Sequence, residues 1–243
     1  MSAILLLQRI SKRYGAVVAS DDLSLHLDSE EALGVIGPNG SGKTTMFNIV
    51  TGITAPDRGQ IFLAGTEITR LRAFERCRRG IARSFQIPRP FGGMSVLENL
   101  LVSAVFARGE SEKKVRYRCL EILEETGLLE KANARAGSLT LLDRKRLELA
   151  RALAANPKVL LLDEIAGGLT EQECRLLVEE ITRIRSRGVS IIWIEHVVHA
   201  LLAVVDRLVV INFGKKIDDG EPHKVMGSQA VKNIYMGPEG DAV

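Results

Sequence analysis

One run of nine residues constrains the fold of this chain more than any other feature. Residues 37–45 read Gly-Pro-Asn-Gly-Ser-Gly-Lys-Thr-Thr and fit the pattern G-x-x-x-x-G-K-[ST]. The apolar stretch 32–36 before the run predicts a buried strand, and residues 46–50 after it predict a helix. Glycines in such a turn let successive backbone N–H groups approach a polyphosphate, which a Cβ would obstruct. The run therefore predicts a phosphate-binding loop at the start of a helix.

Each residue of this loop has an expected part in binding a nucleotide. The backbone N–H groups should hold the phosphates, while Lys43 should reach the β- and γ-phosphates. The hydroxyl of Thr44 is placed to bind Mg²⁺. The predicted nucleotide-binding residues of the loop are Gly37, Pro38, Asn39, Gly40, Ser41, Gly42, Lys43, Thr44 and Thr45.

Two carboxylates follow a second strand-like stretch later in the chain. Residues 159–162 are four apolar residues, and Asp163 and Glu164 come directly after them. Because ligands of open α/β sheets bind at the carboxyl ends of the strands, we expect both acids to lie at the nucleotide. Asp163 is suited to hold Mg²⁺ through water, and Glu164 is suited to polarise the water that attacks the γ-phosphate.

Composition limits the class of protein. The net charge of +3 over 243 residues argues against a protein built mainly to coat nucleic acid. The three cysteines are far apart and lack C-x-x-C spacing, so they predict reduced thiols of a cytosolic chain and neither a disulfide framework nor a zinc site. No apolar stretch approaches the roughly 18 residues that a membrane span requires.

Strand-like patterns alternate with helix-like ones, which predicts an α/β fold with a mainly parallel sheet. Buried strands are predicted at residues 32–36, 159–162, 190–194 and 208–211. Shorter or alternating patterns predict an N-terminal antiparallel β piece at residues 4–7, 24–27 and 60–63. Apolar residues at three- and four-residue spacing predict helices at 96–104, 113–126 and 144–155, which would form a helical subdomain inserted into the core.

With these motifs in place, the chain resembles the ATP-binding subunits of ABC transporters over nearly its whole length. Beyond the two motifs above, the resemblance is carried by Tyr14, Ser84-Phe85-Gln86, the stretch 144–153 and Ile194-Glu195-His196. It implies ATP hydrolysis with Mg²⁺. It also implies one nucleotide-binding domain over residues 1–243, with a RecA-like P-loop NTPase core at 1–86 and 156–243 and a helical subdomain at 87–155.

The resemblance assigns roles to further residues. Tyr14 would stack its ring on adenine. Gln86 would touch Mg²⁺ or the attacking water, and His196 would hydrogen-bond the γ-phosphate. The catalytic residues that the resemblance implies are Glu164, His196 and Gln86. The implied Mg²⁺ ligands are Thr44, Gln86 and Asp163.

A finer resemblance points to the larger ATPase subunit of the branched-chain, or hydrophobic, amino-acid uptake systems. It is carried by residues 83–87, 94–100, 206–217 and 231–237. It implies transmembrane permease subunits as partners, together with a second, different ATPase subunit or a second copy. An extracytoplasmic solute-binding protein would take part indirectly, and nucleic acid would not. The subunit would lie at the cytoplasmic face of the inner membrane as a peripheral protein.

One departure from the family pattern concerns the signature, which in the family resembles Leu-Ser-Gly-Gly-Gln. At this place the chain has Leu139, Thr140, Leu141, Leu142 and Asp143. Leu142 replaces a glycine whose N–H approaches the γ-phosphate held by the opposite subunit. Asp143 either faces that nucleotide, where its charge would repel the phosphate, or turns outward toward Arg146 or Lys145. We expect an asymmetric pair, in which this chain's own ATP site is complete and the signature that it offers is impaired.

Two neighbouring segments carry weaker predictions. Residues 70–83 hold six arginines and are interpreted as a solvated face. Ile87, Phe91 and Met94 are apolar within a stretch broken by prolines and glycines, which predicts an irregular loop that could contact a permease helix.

Three functions remain open at this point. The leading hypothesis is an ATPase subunit that powers an ABC importer for branched-chain or other hydrophobic amino acids. The second is an ATP-gated binding subunit with little turnover, which the altered signature would suit. The third is a non-transport ABC ATPase, against which stand the near-neutral charge and the single cassette.

Overall fold

The computed structural model describes the backbone of residues 3–236 and the side chains as far as residue 234. Within the C-terminal segment 231–237, Gly237 and the side chains of Tyr235 and Met236 therefore lie outside the description. The strands are β1 (Ala3–Tyr14), β2 (Val17–Asp28), β3 (Ala32–Ile36), β4 (Arg58–Leu63), β5 (Thr66–Glu67), β6 (Ile81–Arg83), β7 (Val159–Asp163), β8 (Ser190–Ile194), β9 (Arg207–Asn212) and β10 (Lys215–Gly220). The helices are α1 (Lys43–Thr51), α2 (Ala73–Arg78), α3 (Val96–Arg108), α4 (Glu112–Glu125), α5 (Leu141–Ala154), α6 (Glu171–Arg185), α7 (Val198–Leu202), α8 (Pro222–Gly227) and α9 (Gln229–Met236).

The larger sheet has six strands in the order β10-β9-β3-β8-β7-β6. Neighbouring strands run parallel except at the β9–β10 edge, where the pairing is antiparallel. Every residue of β3, β7 and β8 is buried, because both faces of this part of the sheet are covered. The prediction of a mainly parallel sheet is confirmed.

The two faces of the larger sheet belong to two hydrophobic cores. Leu161 and Ile192 pack with the four-stranded antiparallel sheet β2-β1-β4-β5 and with α1. Leu160 and Trp193 point to the opposite face and pack with helices that include α3, α5 and α6. The larger sheet therefore lies between the two cores. The carboxyl ends of its parallel strands lie at one edge, together with the loops that follow β3 and β7.

Helices α3, α4 and α5 fill much of the stretch predicted as a helical subdomain, while residues 84–95 form no regular helix or strand. Helix α3 begins where the side chain of Ser95 accepts a hydrogen bond from the N–H of Glu98 at 3.2 Å and the Glu98 carboxylate accepts one from the N–H of Ser95. The division of the chain at residues 87 and 155 stays a prediction. Each helix of the described part is too short or too polar to cross a membrane.

The interpretation of residues 70–83 as a solvated face is wrong for two of its arginines. Arg76 is 1% exposed. Its guanidinium donates to the carbonyls of Leu71, Ile49, Val50 and Thr69 at 2.6 to 3.0 Å. Arg83 is paired with Asp163 inside the protein. Both guanidiniums satisfy buried acceptors that the local charge pattern could not reveal.

Candidate nucleotide-binding site

The phosphate-binding loop connects β3 to α1, and its glycines are required by close packing. Gly42 caps the N-terminus of α1 with a left-handed φ of 105°. A Cβ at Gly42 would lie 2.1 Å from the carbonyl oxygen of Ala19, and one at Gly37 would lie 2.1 Å from that of Ile211. Only glycine fits at either position, so the loop keeps a backbone path that leaves its N–H groups free of side-chain obstruction.

Lys43 is buried within this loop. Its ammonium donates to the carbonyl oxygens of Gly37 at 2.7 Å and Pro38 at 3.0 Å. Burial lowers the pKa of Lys43, while the carboxylates of Glu164 and Asp163 act in the opposite direction. The loop thus holds one cation close to the position where a polyphosphate would lie.

A cavity of about 280 Å³ opens over the loop. It is lined by residues 39–45, Tyr14, Val17, Ala19 and Glu164. Tyr14 lies next to the β1–β2 turn and is 48% exposed, so its ring face is accessible for stacking on a planar group. The structure therefore brings Tyr14, most of the loop and Glu164 into one concave site.

Glu164 lies at the centre of a second cluster, directly after β7. Its carboxylate accepts a hydrogen bond from the Gln86 amide and lies 3.0 Å from Nε2 of His196. Its backbone has a φ of +46°, a left-handed conformation that is unusual for a residue other than glycine. Such strain persists only where surrounding contacts hold it, and it is often found at functional sites. The three residues expected to act in hydrolysis are thus in contact.

Asp163 lies apart from this cavity. It is buried at the end of β7, and its Oδ2 accepts a hydrogen bond from Arg83 at 2.5 Å. Arg83 also donates to the side-chain oxygen of Asn48 at 2.7 Å. The sequence predicted the acid and missed its partner, because Arg83 was grouped with the surface arginines. The contact ties β6, β7 and α1 together behind the phosphate-binding loop.

The signature residues lie at the start of α5 and are not among the residues that line the cavity in the described part of the chain. Thr140 caps α5 and donates from its hydroxyl to Asp143 at 2.9 Å. Asp143 is 4% exposed and also accepts from Lys131 at 2.5 Å, with Arg146 4.0 Å away. Its side chain thus turns inward, and its charge is matched by cations of its own chain.

The inward orientation of Asp143 removes one of the two causes expected for an impaired signature. Asp143 does not extend from the surface toward a facing nucleotide, so direct repulsion of the phosphate loses its support. Leu142 belongs to α5 with an ordinary helical backbone, so glycine's wider φ range is not needed there. What remains of the predicted impairment is the bulk of the half-buried Leu142 side chain near the helix N-terminus.

Two further buried residues support the site and were not identified from the sequence. Lys145 donates to the carbonyl oxygens of Gln86 and Glu164. Glu195 accepts from the N–H groups of Ala166 and His196, both at 3.0 Å. Gln86, Glu164 and Ala166 are distant in sequence from the side chains that bind them, so no local pattern shows these contacts. Glu195 had one signal only, its place beside His196 in the quoted motif.

The chain is similar to known proteins over most of its length. A family model described as ABC transporter matches residues 20–167. The chain is 35% identical over 249 residues to the high-affinity branched-chain amino acid transport ATP-binding protein BraF of Pseudomonas aeruginosa, covering 96% of this chain and 98% of that protein. It is 34% identical over 237 residues to the lipopolysaccharide export system ATP-binding protein LptB of Haemophilus influenzae, with 98% of each chain covered.

A solved structure shows the same fold. The crystal structure of the ADP conformation of an ATP-binding cassette of an ABC transporter superposes with a TM-score of 0.89 at 30% identity, covering 98% of this chain and all of that one. The phosphate-binding loop, the cluster around Glu164 and these similarities lead to one conclusion. The chain belongs to the ABC transporter family, as an ATP-binding and ATP-hydrolysing subunit.

Proposed function

We propose that this subunit powers an importer of branched-chain or other hydrophobic amino acids. ATP hydrolysis by this subunit is supported above all by the contact of Glu164 with Gln86 and His196 beside a complete phosphate-binding loop. The direction of transport and the solute are supported by similarity to BraF and by the stretches 83–87 and 94–100. Because LptB is similar to nearly the same degree, export is the alternative that an uptake assay must exclude.

The geometry supports a division of roles in hydrolysis. Lys43 neutralises phosphate charge when ATP binds, and the loop N–H groups hold the phosphate oxygens. Glu164 orients and polarises the attacking water, while His196 fixes the orientation of that carboxylate and contacts the γ-phosphate. Gln86 joins this cluster to the irregular segment 84–95. Tyr14 stacks on the base.

The residues present fit Mg²⁺ as the accompanying ion. The hydroxyl of Thr44 is exposed in the cavity, and the amide oxygen of Gln86 and the carboxylate of Asp163 are the hard oxygen donors that Mg²⁺ prefers. Since Asp163 is already paired with Arg83, it would act on the ion through water. When bound, the ion would neutralise charge on the β- and γ-phosphates.

We place the chain in a pair of ATPase subunits that close head to tail on ATP, with a permease as the membrane partner. The partner ATPase is a different subunit or a second copy, and a solute-binding protein acts from the other side of the membrane. Helix α5 would present its N-terminal N–H groups to the partner's nucleotide, with Leu142 limiting the approach. The subunit then lies peripherally at the cytoplasmic membrane face.

An apolar groove between α2, β6, α3 and α5 suits the permease contact. Its volume is about 470 Å³, and its lining includes Ile53, Phe74, Phe85 and Phe106. Phe106 is 71% exposed and shares the groove with Phe74 and Phe85, so exposed aromatic surface is grouped there and not scattered. The sequence predicted the neighbouring loop residues Ile87, Phe91 and Met94. It did not predict the aromatic residues of α2 and α3.

A charge in this groove or in the loop beside it should uncouple hydrolysis from transport. We expect Phe106→Glu in the groove and Phe91→Glu in the loop to reduce co-purification with the permease and transport by at least about tenfold, because a carboxylate would be buried in an apolar contact. Thermal unfolding of the isolated chain should change little, since both side chains are exposed. Tyr117→Glu is the matched control on the exposed face of α4. Unchanged assembly and transport in both variants would remove the groove and the loop beside it from the proposal.

Turnover decides between the transport ATPase and an ATP-gated subunit with little hydrolysis. The experiment is co-purification from a membrane extract with identification of the accompanying chains, followed by ATP hydrolysis by the complex. A permease, a second ATPase subunit and steady turnover are expected. Nucleotide binding without turnover would favour the gated subunit, and salt-sensitive nucleic-acid binding without any membrane partner would favour a non-transport ATPase.

A further inference from the structure

Lys145 is a buried cation whose partners are two backbone carbonyls. Its side chain lies on α5 and is 4% exposed. The ammonium donates to the carbonyl oxygen of Gln86 at 2.8 Å and to that of Glu164 at 3.3 Å. One side chain of the signature helix thus holds the backbones of both residues whose side chains meet in the proposed hydrolytic cluster.

Two carboxylates lie near the buried ammonium of Lys145. Burial lowers the pKa of Lys145, and the carboxylates of Glu195 and Glu164 oppose this shift. Glu195 is 2% exposed and accepts from the N–H of Ala166, two residues after Glu164. It also accepts from the N–H of His196. Lys145 and Glu195 therefore brace the backbone on both sides of the cluster.

Glu164 needs such support because of its left-handed backbone. Its φ of +46° costs free energy in any residue other than glycine. Its N–H donates to the carbonyl oxygen of Ile194 at 2.8 Å, while its own carbonyl accepts from Lys145. The two peptide planes that flank Glu164 are thus both fixed, and they set the direction in which its carboxylate points.

We propose that Lys145 is a positioning residue that aligns Glu164 and Gln86 and couples them to the start of α5. This inference rests on the proposed function, in which the start of α5 meets the partner's nucleotide. Leu142 precedes Lys145 by three residues, about one helical turn. A displacement of the helix start against the partner therefore reaches the carbonyls of Gln86 and Glu164 through a single rigid element.

The test uses the purified transporter complex in which the partner ATPase carries an inactivating change at its own catalytic glutamate. We expect Lys145→Met to lower kcat for ATP about 10- to 100-fold, because misplacement of a reacting group by about 1 Å costs that much. The Kd of a fluorescent ATP analogue for the isolated chain should stay within about twofold, since Lys145 is not among the residues that line the nucleotide cavity in the described part of the chain. Lys145→Arg should recover most of the lost rate.

The matched control is Lys114→Met, which removes the same charge from the exposed surface of α4 and should leave kcat unchanged. A normal kcat in folded Lys145→Met, or a loss of rate that arginine does not recover, overturns the inference. So does a parallel loss of nucleotide affinity and thermal stability. If Lys145→Met does not fold, Lys145→Gln is judged by the same criteria. Absence of turnover in the wild-type complex would instead overturn the proposed function itself, and with it this inference.

Discussion

Lys43→Ala is expected to weaken ATP binding by about 10- to 100-fold, whereas Glu164→Gln is expected to keep wild-type affinity and trap the ATP-bound state. A hydrogen bond to a charged group contributes roughly 1.5–3 kcal/mol, which corresponds to this loss of affinity. Lys43 meets the phosphates in the ground state, while Glu164 is needed mainly when water attacks. The measurement is equilibrium binding of a fluorescent ATP analogue to the isolated chain, together with the rate of phosphate release by the complex.

Lys232→Ala, an exposed change on α9, is the control for removal of one positive charge. It should affect neither affinity nor turnover. Thermal unfolding of Lys43→Ala should change little, because the two hydrogen bonds that Lys43 donates in the described part of the chain stay within its own loop. If Glu164→Gln loses nucleotide affinity as severely as Lys43→Ala, the proposed division of roles is wrong.

The second large effect concerns the two ATP sites of the pair. Blocking hydrolysis in this chain with Glu164→Gln should remove most of the activity of a complex with a different ATPase subunit. The equivalent change in the partner should remove little. In the proposed pair, ATP on this chain would face an intact partner signature, whereas ATP on the partner would face Leu142. The measurement is steady-state hydrolysis by complexes that carry one change at a time.

The complementary experiment restores a family residue in the signature, and the structure shows which position to change. Asp143 is buried and accepts hydrogen bonds from Thr140 and from the half-exposed Lys131, so changing Asp143 would break both contacts at the start of α5 and destabilise the chain. Leu142→Gly alone is the cleaner change, and it should raise turnover at the partner's site. Equal losses from the two glutamine variants, or no gain from Leu142→Gly, would show that leucine replaces the signature glycine without penalty.

The sequence predicted elements whose cause is local. Strands β3, β7 and β8 are short runs of buried apolar residues, and their bounds follow closely from that pattern. The phosphate-binding loop was likewise predictable, since its geometry demands glycine at fixed places. Strand β10 was missed because residues 215–220 are polar, and this edge strand forms through pairing with β9.

Other features depend on tertiary contacts, so local sequence patterns could not predict them. The predicted strand ended at Leu7 because Gln8 and Arg9 are both exposed and interrupt the alternation of buried and exposed residues. Strand β1 continues beyond them through a shift of register between Leu7 and Ile10. The inward turn of Asp143 depends on the cap formed by Thr140 and on Lys131. The role of Lys145 depends on where two distant loops meet.

The most direct test of the account is ATP hydrolysis by the transporter reconstituted in liposomes, measured with and without solute-loaded binding protein. Hydrolysis is expected to rise when a branched-chain amino acid is supplied and to fall by at least about 100-fold when this chain carries Glu164→Gln, the loss typical of removing a general base. Hydrolysis that is indifferent to the solute and survives Glu164→Gln would contradict the proposed function.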